Sequence, residues 1–241
     1  MTEIDKKSKP KLNKLSKDIE ATPLLDLRIA LMVMFLGVSS IAFLFKAPVI
    51  ISITAGALTG GIWAFAKERK LMIQLITAWK TELLVAAPIV AFTAYGILEV
   101  SLQLASDMAL KSGGINASNP PEVFVWLLAL KALTSAINPA IAGIAGGILL
   151  GITEELFWRG FVQTRLMMTT GHGVATLITS TIYSIYYLFI MGTIAAVLAF
   201  MLGMAMSLLV VRSKSLLPAI LTHFIFLIFV IWLRPDVNIM F

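Results

Sequence analysis

Between Val174 and Val211 the sequence carries no charged side chain. A hydrocarbon core is crossed by roughly 20 apolar residues in a helix. The run is therefore two spans, 174–190 and 193–211, joined by a tight turn near Gly192. In lipid every backbone donor and acceptor must be satisfied inside its own segment, which restricts such runs to helices or closed barrels. Barrel strands are short and alternating, so runs of this length exclude a barrel. Further apolar runs lie at 27–45, 49–66, 83–104, 140–157 and 216–233. The predicted fold is all-α: a polytopic transmembrane bundle of seven to eight helices.

Composition agrees. Of 241 residues, 59% are hydrophobic, and the mean hydropathy is +0.94, which is too apolar for a soluble domain. The chain has no cysteine, so disulfides, thiolate metal sites and cysteine nucleophiles are excluded. The net charge of +6 sits in the tail and loops, where it sets topology; it does not point to nucleic acid.

Residues 1–26 read as a basic, disordered, cytoplasmic tail with Lys6, Lys7, Lys9, Lys11, Lys14 and Lys17, suited to anionic lipid. The tail is too long and lysine-rich for the start of a cleaved signal, so 27–45 is expected to be an uncleaved anchor, and 27–241 forms the transmembrane domain. Lys67-Glu68-Arg69-Lys70 and the stretch to Lys80 predict a basic segment on the cytoplasmic interface. Residues 123–136 form a short re-entrant piece or an extra span, with Lys131 snorkelling and a break at Asn138-Pro139. Lysine and arginine gather in the tail and at 67–80, 159–165 and 212–214. Seven spans with a cytoplasmic N-terminus satisfy the positive-inside rule, and the cell membrane is the expected location.

Against this background, Thr153-Glu154-Glu155-Leu156-Phe157-Trp158-Arg159 stands out, at the end of an apolar run that is uncharged from Ala140 to Leu150. Ionisable groups inside a bilayer are costly and mark function. On a helix Glu155 and Arg159 are four residues apart and share a face. Glu154 is turned about 100° away, which leaves it unpaired and able to act as a general base. Gly143, Gly147 and Gly151 continue the same row upstream, and small residues at that spacing let a second helix approach closely. His223 in the last span is a candidate polar partner. Tyr183, Tyr186 and Tyr187 lie in the fifth span, and His172 sits in a Gly-His-Gly loop at the interface.

Hydrolysis suits this inventory. Burial disfavours a carboxylate's charged form and a nearby guanidinium favours it, and the balance tunes a base able to take a proton from water. A histidine across the cavity can donate to the oxyanion formed on a scissile carbonyl. There is no His-Glu-x-x-His helix and no Gly-x-Ser-x-Gly elbow. A catalytic zinc would need a glutamate and both histidines, so no metal and no cofactor is expected.

Glu154-Glu155-x-x-x-Arg159-Gly160 resembles the first motif of the CAAX-protease and bacteriocin-processing (CPBP) family of intramembrane endopeptidases, and the resemblance extends over about 137–233. That family's second motif is Phe-x-x-x-His, where this chain has Tyr183 and Tyr187. Its third motif is His-x-x-x-Asn, where this chain has His223 and Leu227. The resemblance implies that Glu154 activates water, that Glu155 and Arg159 support it, and that His223 stabilises the oxyanion. Tyr187 stands at the position of the second-motif histidine. It can hold a water, but with an ordinary pKa near 10 it is a poor base. The implied substrate is a membrane-bound protein or lipidated peptide cut near the cytoplasmic face. Two other readings stay open: a catalytically degenerate scaffold of the same fold that binds a membrane partner, and a small transporter with a polar relay through Glu154, Glu155, Lys131 and His223.

Overall fold

The computed structural model describes residues 27, 31, 49–78, 84–111 and 148–232. Among them every regular element is helical. The helices are α1 (Val49–Lys67), α2 (Arg69–Thr77), α3 (Ala86–Lys111), α4 (Thr164–Thr170), α5 (His172–Met191), α6 (Thr193–Ser213) and α7 (Leu217–Trp232). A π-helical segment, Leu156–Gln163, precedes α4, and residues 148–155 lead into it as α-helix.

The boundaries near the C-terminal end follow local chemistry. Gly171 and Gly192 take φ of 81° and 86°, a region that L side chains avoid, and they separate α4 from α5 and α5 from α6. Lys214 closes α6 in the left-handed conformation. Thr193–Ser213 is long and apolar enough to cross a membrane, while Ala86–Ser101 and Leu217–Val230 are shorter apolar helices. Large apolar side chains also face outward, among them Phe92 (65% exposed) and Phe189 (79%), as expected of lipid-facing positions.

Two expectations change. The glutamate-bearing helix does not end at Phe157; it continues as the π segment and then α4, as far as Thr170. All eight residues of the π segment are buried. Packing covers the segment throughout, so nothing there obliges the helix to end. The third predicted span also runs beyond Leu104, to Lys111. The tail, most of 27–45, the stretch 123–136 with Lys131, the Asn138-Pro139 break, and Gly143 and Gly147 lie outside the described residues.

The π segment is the axis of the core. Gly61 of α1 and Gly151 bring their neighbours close: Gly151 lies against the backbone of Ile220 and Phe224 on α7. This is the approach expected of the glycine row. Gly160 receives Met72 of α2, which is wholly buried. α2 is further tied down by the backbone bond from Leu216 to the Leu75 carbonyl (2.8 Å) and by an Arg165–Glu68 ion pair. α5 and α6 form a closely packed hairpin. On α6 the small residues Ala195, Ala199, Gly203 and Ser207 recur every four positions, and all are buried or lie against α5. Thr222 of α7 donates to Ala87 O of α3 (3.4 Å), and Phe229 meets Phe92 and Tyr95 edge-on.

Candidate functional site

Four segments converge on the two glutamates. Glu154, Glu155 and Arg159 are all 0% exposed, and His223 is 4% exposed. Arg159 Nη1 donates to Glu155 Oε1 at 2.8 Å, the i, i+4 pair that the spacing predicts. His223 Nδ1 meets the same Oε1 at 3.1 Å. A carboxylate oxygen only accepts, so Nδ1 carries the proton in that contact. The opposite ring nitrogen, Nε2, then faces Glu154 Oε2 at 4.0 Å. One imidazole thus lies between the two carboxylates and is oriented by Glu155.

Glu154 is not left unpaired as the sequence suggested. Tyr183 donates to Oε2 at 2.8 Å, and Tyr187 donates to Oε1 at 2.9 Å with a longer contact of 3.2 Å to Oε2. The reason is spacing on α5. Positions 183 and 187 are i and i+4, so both phenols project from one face. The two tyrosines at the second-motif positions therefore both reach Glu154, Tyr187 among them.

Aromatic packing fixes that clamp. Trp158 lies edge-on to Tyr183 with centroids 5.4 Å apart, and Tyr183 is 4.9 Å from Tyr187. Tyr186 closes the group at 5.4 Å from Tyr187. The Arg159 guanidinium stands 4.6 Å over the Tyr183 ring, a cation–π contact. Arg159 therefore serves both halves of the site: it pairs with Glu155 and steadies the ring whose hydroxyl holds Glu154.

The structure brings together Glu154, Glu155, Arg159, Tyr187 and His223. Tyr183 was marked in the sequence by its second-motif register without being given a role at the site, and Trp158 was not singled out. Tyr183 was legible from its i, i+4 relation to Tyr187; nothing in the sequence marks Trp158. His172 is not part of the cluster. It is exposed at the start of α5, beside Met167 Sδ at 3.1 Å. Leu227 offers no polar atom to the site.

Residues 136–229 match the family model described as type II CAAX prenyl endopeptidase Rce1-like. That stretch is similar to the Rce1-like family and makes up less than half of the chain. It holds every member of the site, from Glu154 to His223, and it agrees with the resemblance carried by Glu154-Glu155 and Arg159. No curated protein and no solved structure gives a match. The whole site therefore lies within the stretch that is similar to that family, and it differs from the motifs quoted above at the two phenols and Leu227.

Proposed function

We propose that the chain is a glutamate-dependent intramembrane endopeptidase. It hydrolyses a peptide bond of a membrane-associated or lipid-modified protein near the cytoplasmic face. The observation that carries this reading is the fully buried Glu154 held 4.0 Å from an imidazole that Glu155 orients. The Rce1-like match supports the reaction class.

The geometry suits the following sequence. A carboxylate has about four lone-pair sites, so Glu154 Oε1 keeps one for a water while the phenols fix its orientation. Glu154 takes a proton from that water, and the hydroxide adds to the scissile carbonyl carbon. The resulting oxyanion is met by His223 in its protonated form, donating through Nε2. Glu154 then delivers its proton to the leaving amine as the C–N bond breaks. Glu155 and Arg159 act through His223 and Tyr183 and are positioning residues.

The substituted tyrosines carry a cost in this scheme. Neither phenol is a good base, and Leu227 supplies no second oxyanion donor, a loss on the order of 10²–10³ in rate where such donors have been removed. Low turnover is therefore expected. In the same reading the chain crosses the membrane seven or eight times with its N-terminus in the cytoplasm, and the basic tail with Lys67, Arg69 and Lys70 lies against anionic lipid.

The second reading is a scaffold of the same fold that binds a membrane partner without cutting it. It is favoured by the engagement of both Glu154 oxygens with phenol donors. The test uses purified protein in liposomes with membrane-tethered peptides, prenylated and unprenylated. Cleavage that disappears in Glu154→Gln supports the protease. Absence of cleavage, with partner capture that survives Glu154→Gln, supports the scaffold.

A further inference from the structure

Behind the glutamates, away from Glu155, the π segment, α5 and α6 meet in an interface that is buried yet polar. Arg159 uses only Nη1 on Glu155. Its Nε and Nη2 find no hydrogen-bond partner among the described residues, and neither do Gln163 Oε1, Thr179 Oγ1, Ser180 Oγ or Ser207 Oγ. All five residues are 0% exposed. They are also neighbours. Gln163 Nε2 donates to Ser207 O (3.1 Å) and to Thr176 Oγ1 (3.4 Å), which joins all three helices. On α5, Thr176, Thr179, Ser180 and Tyr183 occupy one face at helical spacing.

Gly203 lets these groups draw together. A Cβ built there would lie 3.4 Å from Arg159 Nη2, 3.4 Å from Ser180 Cβ and 3.2 Å from Tyr183 Cδ1. The guanidinium, the serine and the tyrosine ring therefore all pack against Gly203, which brings the polar groups of the three helices into one neighbourhood. Apolar cavities stay dry, whereas a buried site with two to four convergent polar groups holds water. Guanidinium donors, an amide acceptor and three hydroxyls of either sense are the complement that water satisfies. An anion would be opposed by Glu154 and Glu155, and a cation by Arg159.

We infer that this three-helix interface is a binding site for ordered water, coordinated by Arg159, Gln163, Thr179, Ser180 and Ser207. The bound water hydrates the free side of Arg159 and so holds Nη1 on Glu155. As a store of hydrolytic water beside Glu154 it would rest on the proposed function; as a hydration site it stands without it.

The test reads water directly. X-ray radiolysis activates protein-bound water, and the hydroxyl radicals label side chains in contact with it. In the intact protein, Tyr183 (2% exposed) should be labelled several-fold faster than Phe157 (0%), after normalisation for intrinsic reactivity. In the Thr179→Val, Ser207→Ala double variant that excess should vanish. Should the double variant fail to fold, Ser207→Ala alone, which deletes a single oxygen, should lower it. Tyr183 labelled no faster than Phe157 would overturn the inference. So would labelling unchanged in the variants, since the water would then come from the Glu154 side. Neither result depends on whether the protein cleaves a peptide.

Discussion

Replacing Gly61 with alanine should disturb the glutamate-bearing helix directly. The new Cβ would lie 2.6 Å from the Thr153 carbonyl oxygen, 2.8 Å from its Cα and 2.8 Å from its Cβ, where ordinary contact begins at 3.4 Å. The obstacle is backbone, so no rotamer change relieves it. α1 and the helix at 148–155 must separate by the better part of an ångström, immediately beside Glu154. Overpacking of this kind costs about 1–3 kcal/mol. For a chain of this size that is a melting temperature lower by roughly 2–12 °C, at about 2–4 °C per kcal/mol. Gly96→Ala is the matched control. Among the described residues, and apart from its own chain neighbours and helix backbone, no atom lies within 4 Å of its Cβ position, which is exposed on α3. Removing a mid-helix glycine there should stabilise by about 0.5–1 kcal/mol. Thermal unfolding of both variants in one detergent decides the matter. If Gly61→Ala melts at or above the wild-type temperature, the close approach of α1 to Thr153 is wrong. Misplacement by about 1 Å can cost on the order of 10²-fold in rate, so cleavage by Gly61→Ala should fall further than its stability alone explains.

Four other outcomes follow from the same geometry. Arg159→Ala strands Glu155 in a buried site, and removing one partner of a buried pair costs about 3–5 kcal/mol, so the variant should melt well below wild type in a thermal scan. Tyr183→Phe removes a hydrogen bond to a carboxylate, worth about 1.5–3 kcal/mol, whereas Tyr187→Phe should lose less because its ring is only part-buried and its bond is shared between two oxygens; paired unfolding curves rank them. Single charge reversals at Glu68 or Arg165 should loosen α2, and the double reversal should restore part of the loss, with a coupling of about 0.5–3 kcal/mol for contacting residues, measured by a double-mutant cycle. Gly160→Ala should push Met72 out of its buried position, since the new Cβ would stand 2.6 Å from Sδ; proteolysis between α1 and α2 should accelerate, and an unchanged digestion pattern would argue against α2 lying on the π segment.

The order and limits of α5, α6 and α7 were legible because each is an apolar run bounded by a residue that breaks it: Gly171, Gly192 and Lys214. The Glu155–Arg159 pair was legible because a helix fixes what i and i+4 can reach. The π segment was not, since Leu156–Gln163 contains nothing that an α-helix would refuse. Nor was the clamp on Glu154, because its partners lie on a different helix and sequence spacing says nothing of which helices pack together. His223 stood out as a lone polar group in an apolar span, but its contact with Glu155 depends on the closeness that Gly151 permits. The buried hydroxyls of Thr179, Ser180 and Ser207 look, in sequence, like ordinary small residues of a membrane helix.

The most direct measurement is cleavage of a membrane-tethered peptide in liposomes, followed by mass spectrometry, with wild type, Glu154→Gln and Leu227→Asn side by side. Wild type should cleave slowly, Glu154→Gln should lose cleavage at an unaltered fold, and Leu227→Asn should cleave faster because it adds an oxyanion donor. Cleavage by Glu154→Gln at the wild-type rate would contradict this, because the buried carboxylate held by Tyr183 and Tyr187 would then have no part in activating water.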